Sequence, residues 1–289
     1  MRLDDEGESS NVEDRRGMAM PGGARGVGIG TIVIALAASY FFGIDPSTVI
    51  NVATQMQGSP APQEVQSQQA QRLPASDPQT KFIRQILHST ERTWSTIFAE
   101  QGQQYVPPKL VIFTGRTPTA CGAGESAMGP FYCLADSKVY IDLAFYQDLK
   151  NRFKAPGDFA QAYVIAHEIG HHIQHLSGIS AKVQQARQKA SESQGNALSV
   201  KLELQADCLA GVWAARANEA RQILEAGDIE EALTAATAIG DDRLQQQSRG
   251  TITPDSFTHG SSEQRVRWFK RGINSGDMNQ CNTFKSATL

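Results

Sequence analysis

The 289-residue chain has few cysteines, no surplus of basic residues and little overall hydrophobicity. Four cysteines are too few to build a disulfide-based miniprotein. With 27 basic and 30 acidic side chains, the chain lacks the positive surface with which nucleic-acid-binding proteins hold phosphates. A mean hydropathy of −0.35 excludes a polytopic membrane protein, although one span can be hidden in such an average. These absences leave an enzyme-sized globular domain with something attached.

One long uncharged run stands near the N-terminus. Residues 26–44, GVGIGTIVIALAASYFFGI, are 19 consecutive uncharged residues. As a helix they would be ~28 Å long, close to the ~30 Å hydrocarbon core of a membrane. The alternative is a cleaved signal peptide, because Ala35-Leu36-Ala37 resembles a small-residue cleavage site. The 25 preceding residues carry six acidic side chains, unlike a short basic signal-peptide N-region, so we expect an uncleaved anchor.

Basic residues around this anchor predict its orientation. Four arginines precede the run, whereas the next basic residue after it is Arg72. The positive-inside rule then places residues 1–25 in the cytoplasm as an N-terminal tail. Residues 45–80, rich in Gln and Pro, are typical of a flexible linker. Residues 81–289 are left as the folded domain, in the periplasm or outside the cell.

The pattern of this domain is mainly helical, with two short β-type runs. Apolar residues at helical spacing predict a helix over 80–101. Leu110–Phe113 and Val139–Leu143 have the composition of strands, and from Ala144 onward the pattern is again helical. This order predicts an α+β domain that is predominantly helical with a small β-sheet, preceded by one transmembrane helix.

The motif with the clearest chemical meaning is H-E-x-x-H, at residues 167–171. It lies in a predicted helix over residues 158–177, with Asp158 as its expected N-cap and Gly178 as its C-cap. His167 and His171 project from the same helix face, so both imidazoles can bind one Zn²⁺. Glu168 is then placed to take a proton from a zinc-bound water.

The third ligand is expected on a second predicted helix, Ala197–Ala217. A metzincin continuation is excluded, because Gln174 and Ser177 stand where that class has glycine and histidine. Glu203 and Asp207 lie four residues apart among apolar neighbours, where a carboxylate needs a partner. Glu203 as third ligand leaves a fourth position open for water, and Asp207 can accept the free N–H of a ligating histidine. The alternative is that both carboxylates face solvent or make structural ion pairs.

Three stretches together resemble the bacterial neutral zinc metallopeptidase family, whose members have one N-terminal membrane anchor: HEIGHHIQHLSG, LELQADCLAGVW and HGSSEQRVRWF. GPFYCLADSKVYID, at residues 129–142, belongs to the same resemblance, which runs from about Lys81 to Phe284. The first two stretches are also similar to the wider gluzincin pattern, in which E-x-x-x-D on a later helix completes H-E-x-x-H.

This resemblance implies a zincin-like metallopeptidase domain. It implies that His167, His171 and Glu203 are the zinc ligands and that Glu168 is the catalytic base. The resemblance gives no substrate, because the family is called a peptidase family largely through its motif.

Two features outside the metal motif fit a peptide-cleaving site. By analogy with zincins, Val139–Leu143 is expected at the sheet edge that pairs with an extended substrate; the alternative is an ordinary core strand. His259 and Arg265 could each donate a hydrogen bond to the oxyanion that forms in peptide hydrolysis. A helix-capping turn with a structural arginine is the alternative for this pair.

The cysteines fit two disulfides in an exported domain. Cys121 and Cys133 flank a glycine-rich loop whose ends a hairpin would bring together, and Cys208 and Cys281 could tie the C-terminal tail to the Glu203 helix. Both pairs would be oxidised outside the cytoplasmic membrane. A Cys₄ zinc site is disfavoured, because the chain has no C-x-x-C spacing. Buried free thiols are the alternative, above all for Cys208.

The sequence therefore predicts a membrane-tethered, zinc-dependent peptide-bond hydrolase in which Glu168 activates a zinc-bound water. Its expected partners are a peptide or protein substrate and the membrane, with no nucleic acid. One alternative is a zinc hydrolase that acts on non-peptide amides or esters. The other is a catalytically silent envelope protein that serves in binding or quality control.

Overall fold

The computed structural model describes residues 1–17 and 77–289. Eight α-helices and six strands make up this part of the chain, together with short 3₁₀ turns. In chain order they are β1 (Val12–Asp14), α1 (Pro78–Glu100), β2 (Lys109–Phe113), β3 (Arg116–Thr119), β4 (Gly122–Glu125), β5 (Phe131–Cys133), β6 (Lys138–Asp142), α2 (Ala144–Asn151), α3 (Asp158–Leu176), α4 (Ile179–Arg187), α5 (Glu192–Arg221), α6 (Asp228–Ala238), α7 (Asp241–Arg249) and α8 (Ser262–Ser275).

The predicted membrane anchor, residues 26–44, lies outside the described residues, and so does most of the predicted linker. None of the helices in the described ranges has the length and apolar character needed to cross a membrane. Regular structure after the gap begins slightly earlier than expected, because Asp77 caps α1 by accepting from the backbone N–H groups of Gln79 and Thr80. The predicted helix over 80–101 is confirmed to within two residues.

The main sheet has four strands in the order β1-β2-β6-β5. Strands β1, β2 and β6 are parallel, and β5 is antiparallel to β6. The predicted strands at Leu110–Phe113 and Val139–Leu143 are found as β2 and β6, each shifted by no more than one residue at either end. The side chains of β2 from Leu110 onward are buried, as the unbroken apolar run of a parallel strand requires.

The sheet edge differs from the prediction. Strand β6 lies between β2 and β5, so the expectation that Val139–Leu143 forms the edge is wrong. Val139, Tyr140 and Ile141 are each 1% exposed, and their strand is paired on both sides. The edge of the sheet next to β6 is formed by β5. This strand has only three residues and no alternating pattern from which its pairing could be predicted.

Helix α3 is the centre of the helical layer. All of its residues from Ala162 to Gly170 are buried, because it packs against α1, α5 and α6 at once. Its N-cap is Gly157 rather than the predicted Asp158, which is the first helical residue. The backbone at Gly157 has φ +126°, a conformation that aspartate rarely adopts. Gly178, with φ +70°, follows the end of the helix near its expected place.

The first 16 residues belong to the same compact unit as residues 77–289. Strand β1 pairs with β2, with Val12 opposite Leu110. Glu6 is buried, and its carboxylate lies 3.0 Å from Nε of Arg221 in α5. Met1–Arg16, which belong to the predicted N-terminal tail, therefore supply a strand and buried ion pairs to the domain.

Both predicted disulfides are present. Cys121–Cys133 joins the β3–β4 hairpin to β5, and Cys208–Cys281 joins α5 to the segment after α8. Because all four cysteines are paired, the alternative of a buried free thiol at Cys208 is excluded.

Candidate metal centre

The candidate centre lies where α3 crosses α5. A Cβ atom on Gly170 would lie 2.9 Å from the Cα atom and the carbonyl oxygen of Ala206, so the two helices touch backbone to backbone at this point. Glycine is the residue that permits this approach. Glu203 and Asp207 stand on either side of Ala206, and the crossing therefore brings both carboxylates to the two histidines of α3.

Three donor groups converge at the crossing. Nε2 of His167 lies 3.2 Å from Oε2 of Glu203, and Nε2 of His171 lies 3.5 Å from Oε1 of the same carboxylate. One ligand atom from each of the three residues lies within 4.8 Å of the others. Donors that share a tetrahedral zinc ion at ~2.1 Å are about 3.4 Å apart. Two imidazoles and a carboxylate at these separations fit a zinc ion.

Asp207 contacts the side of the His167 imidazole that faces away from Glu203. The Asp207 carboxylate is fully buried, and its Oδ1 lies 2.8 Å from Nδ1 of His167. Tyr163 donates its hydroxyl to the same oxygen at 2.5 Å. An ionised carboxylate can only accept, so Nδ1 of His167 donates its proton to Asp207, and Nε2, on the Glu203 side, is the nitrogen that would bind a metal.

Buried charges hold this arrangement together. Burial raises the pKa of Asp207, but Arg265 and His167 outweigh burial and lower that pKa to about 2. Burial lowers the pKa of His167, whereas Asp207 and Glu203 together raise it to about 10. The pKa of Glu203 is held well below its usual range against burial, chiefly by His171. The candidate ligands are thus embedded in a network of compensated charge.

Arg265 lies behind the centre, in contact with Asp207. Its side chain is 3% exposed, and Nε and Nη2 each donate to the Asp207 carboxylate at 2.9 Å. Nη1 donates to the carbonyl of Ile239 at 3.3 Å. These contacts favour the alternative interpretation of a structural arginine over that of an oxyanion donor.

A residue that the sequence did not single out, Gln174, supports His171. Its Oε1 lies 2.9 Å from Nδ1 of His171, one helical turn away on α3. Its Nε2 donates to the carbonyl of Leu202 at 2.7 Å and to Oε1 of Gln205 at 3.2 Å. The sequence carries no local signal for this role, because the partners of Gln174 on α5 are distant in sequence.

Glu168 lies on the wall of the cleft beside the candidate ligands. It is 7% exposed, and burial raises the pKa of its carboxyl group. Within the described ranges, its side chain has no hydrogen-bond partner. A carboxylate of raised pKa, not engaged by its neighbours, is suited to accept a proton from a reacting group.

His259 also lines the cleft, and Asp241 fixes its position. Oδ2 of Asp241 accepts the backbone N–H groups of Thr258, His259 and Gly260 at 2.7, 2.6 and 3.0 Å. Oδ1 lies 3.3 Å from Nδ1 of His259 and raises the pKa of the imidazole. The His259 side chain is 51% exposed, so Nε2 is available to a bound molecule.

The centre opens into a cleft of about 1300 Å³. That volume exceeds the usual range of small-molecule pockets, ~300–1,000 Å³. Apolar side chains from β5, α2 and α7 and from the loops around them contribute to its walls. Among these are Met128, Phe131, Tyr132, Phe145, Phe153 and Leu244.

Comparisons with known proteins identify the family of the chain. The family described as "Putative neutral zinc metallopeptidase" matches residues 1–284. The chain belongs to this zinc metallopeptidase family. The match confirms the family predicted from the motifs. It also covers the N-terminal segment that carries β1.

Curated relatives of this family member carry no assigned activity. One, named Uncharacterized protein YpfJ, from Escherichia coli strain K12, is 50% identical over 295 aligned residues, covering 98% of this chain and 99% of the relative. Another, named Uncharacterized protein Mb2605, from Mycobacterium bovis, is 41% identical over 219 residues, covering 72% of this chain and 73% of the relative. No solved structure matches the chain.

Proposed function

We propose that this protein is a zinc-dependent hydrolase of peptide bonds. The observation that carries the proposal is the convergence of His167, His171 and Glu203 at the wall of a large cleft, with the buried carboxyl group of Glu168 beside them. Three protein ligands leave one position for water or substrate, which is the arrangement of a catalytic zinc site rather than a structural one.

Different groups at the wall of the cleft are proposed to carry out different parts of the reaction. His167, His171 and Glu203 would hold the zinc ion, which would supply a Lewis acid for the scissile carbonyl and lower the pKa of water. Glu168 accepts the proton of the attacking water at its carboxylate and passes it to the leaving amine. Its pKa, raised by burial, makes it a better base than an exposed glutamate.

His259 is proposed as the oxyanion donor. Asp241 holds the Nδ1 side of the imidazole and three backbone N–H groups of the turn, so the ring is fixed with Nε2 free. A pre-positioned donor of this kind stabilises the negative charge that develops on the carbonyl oxygen. Because Asp241 raises the pKa of His259, the donor form is favoured.

A peptide is favoured over a small amide or ester by the shape of the site. Strand β5 is one of the two edge strands of the main sheet as described, and its residues Phe131 and Tyr132 line the cleft. An extended backbone can add to such an edge as a further strand, while its side chains enter the cleft. The proposed substrate is therefore an extended segment of peptide or unfolded protein.

The proposed location is the periplasm or the extracellular space. Two disulfides in a domain of this size fit an oxidising compartment. The predicted single-pass anchor at residues 26–44 is not part of this proposal.

The function is tested by comparing cells that contain the wild type with cells that contain Glu168→Gln. We expect new N-termini in envelope proteins only with the wild type, and cleavage of a peptide library by the purified wild type alone. Cleavage of an ester or amide panel without peptide cleavage would favour the non-peptide hydrolase. Bound zinc with no cleavage, and an unchanged cellular phenotype in Glu168→Gln, would favour a binding or quality-control protein.

A further inference from the structure

We infer that Gln174 is a positioning residue that fixes which nitrogen of His171 faces the metal; this inference rests on the proposed zinc site. Gln174 is fully buried and lies between His171 on its own helix and Leu202 and Gln205 on α5. Its amide has two chemically different ends, so the neighbours of one end determine what the other end offers to the imidazole.

The end that faces α5 is determined by backbone carbonyls, which can only accept hydrogen bonds. The carbonyl of Leu202 lies 2.7 Å from one end of the Gln174 amide, so that end must be the NH₂ group. Gln205 is oriented in the same way, because its Nε2 donates to the carbonyl of Cys281 at 2.9 Å. Gln205 therefore turns its Oε1 toward Gln174, at 3.2 Å, where it accepts a second hydrogen bond.

The other end of the amide then determines the state of His171. With the NH₂ group of Gln174 committed to α5, Oε1 faces Nδ1 of His171 at 2.9 Å. An amide oxygen can only accept, so Nδ1 carries the proton and the lone pair of the neutral ring lies on Nε2. Nε2 is the nitrogen that lies 3.5 Å from Glu203, on the metal side.

The two histidines are thus held by partners of different charge. His167 is held by the carboxylate of Asp207, and His171 by a neutral amide. The chain of hydrogen bonds from His171 through Gln174 and Gln205 ends at Cys281, whose position the disulfide to Cys208 fixes. Partners of this kind orient metal ligands and typically change metal affinity 10- to 100-fold when removed.

The test compares Gln174→Leu with Gln245→Leu. Gln245 is likewise a buried glutamine that donates one hydrogen bond and accepts another, with Ser256 and Thr253, but it touches no candidate ligand. We expect the zinc Kd, measured by competition with a chelator, to rise 10- to 100-fold in Gln174→Leu and to stay within twofold of wild type in the control.

A second readout separates positioning from general loss of structure. In the zinc-loaded wild type, the Nδ1 proton of His171 should be visible by nitrogen-edited NMR and protected from exchange with water; in Gln174→Leu it should exchange rapidly. An unchanged zinc Kd in Gln174→Leu, or an equal loss in the control, would overturn the inference and leave the zinc site standing. Undiminished hydrolysis by zinc-loaded Glu168→Gln would instead overturn the proposed function and leave the Kd comparison intact.

A separate observation leads to a second inference: we propose that Met1–Arg16 and residues 77–289 lie on the same side of the cell membrane. Nη2 of Arg16 lies 2.8 Å from Oδ2 of Asp77, so the two described ranges meet at their ends. Behind this contact, β1 pairs with β2 over three residues, and Glu6 is buried against Arg221. A single crossing by residues 26–44 would separate these partners, so this packing and the predicted single-pass arrangement exclude each other.

The test labels two exposed serines, Ser10 in the N-terminal segment and Ser193 in α5, after each is replaced singly by cysteine in the full chain. A membrane-impermeant maleimide is applied to intact spheroplasts and to lysed cells, and the lysed cells give the maximum labelling of each cysteine. We expect Ser10→Cys and Ser193→Cys to be labelled in intact spheroplasts to the same fraction of that maximum. Labelling of one position in intact spheroplasts, with the other labelled only after lysis, would overturn the proposal.

Discussion

The role of Arg265 gives the sharpest test of how the centre is built. If the guanidinium serves to compensate Asp207, then Arg265→Met leaves a fully buried carboxylate with only Tyr163 and His167 as partners. Removing one member of a buried ion pair costs about 3–5 kcal/mol. We therefore expect the free energy of unfolding in urea to fall by about 3–5 kcal/mol, which is a large share of the stability of an ordinary domain.

Turnover separates this role from direct catalysis. Loss of an oxyanion donor lowers kcat by about 10²–10³ while the protein remains stable. For Arg265→Met saturated with zinc, we expect kcat of the folded protein to fall less than tenfold. The double variant Asp207→Leu/Arg265→Met is the control, because removing both charges should cost less stability than the two single changes added together. Stability within 1 kcal/mol of wild type, together with a hundredfold loss of kcat, would refute the reasoning.

Three other perturbations probe the helix crossing, the disulfide and the N-terminal strand. Gly170→Ala should lower stability by about 1–3 kcal/mol, because its Cβ would press on the α5 backbone. Gly195→Ala, whose Cβ would come no closer than 3.7 Å to Nε of Arg187, should stabilise by about 0.4–1 kcal/mol; thermal unfolding checks both. Replacing Cys208 and Cys281 together by alanine should lower the free energy of unfolding, measured in urea, by about 4.4 kcal/mol, because the disulfide closes a loop of 73 residues. A loss below 1 kcal/mol would contradict that account. Burial raises the pKa of Glu13 in β1, but Arg15 and Lys138 outweigh burial and lower that pKa to about 2. The stabilising contribution of Glu13 is therefore present above about pH 4 and is lost as the pH falls toward 2. Hydrogen exchange of β1 should accelerate across that window in the wild type but not in Glu13→Gln.

The candidate ligand residues could be proposed from the sequence because helical geometry groups them locally. Residues four apart share a helix face, so the pairs His167/His171 and Glu203/Asp207 were each recognisable within one element. The ligand-bearing faces of α3 and α5 meet because Gly170 lets the two helices come close together. That contact depends on the tertiary structure and could not be predicted from either helix alone. The candidate residues on each helix could be identified from the sequence, whereas the crossing of the two helices is seen only in the structure.

Other features had no local signature. Strands β1 and β5 have three residues each, too few for an alternating pattern, and β1 lies in a polar stretch that was interpreted as a tail. The sequence left Arg265 as either an oxyanion donor or a structural arginine, and its contact with Asp207 depends on the packing of α5 against α8. Gln174 was noted only as a mismatch to another motif, since its role depends on the carbonyl groups of a distant helix.

The most direct test of the central claim measures zinc content and peptide turnover on the same preparations of wild type and Glu168→Gln. If His167, His171 and Glu203 hold the metal and Glu168 serves as the base, both proteins will contain one zinc per chain, and only the wild type will turn over. A wild type that stays free of zinc when zinc is supplied, or a zinc-loaded Glu168→Gln that cleaves peptides at the wild-type rate, would contradict the account.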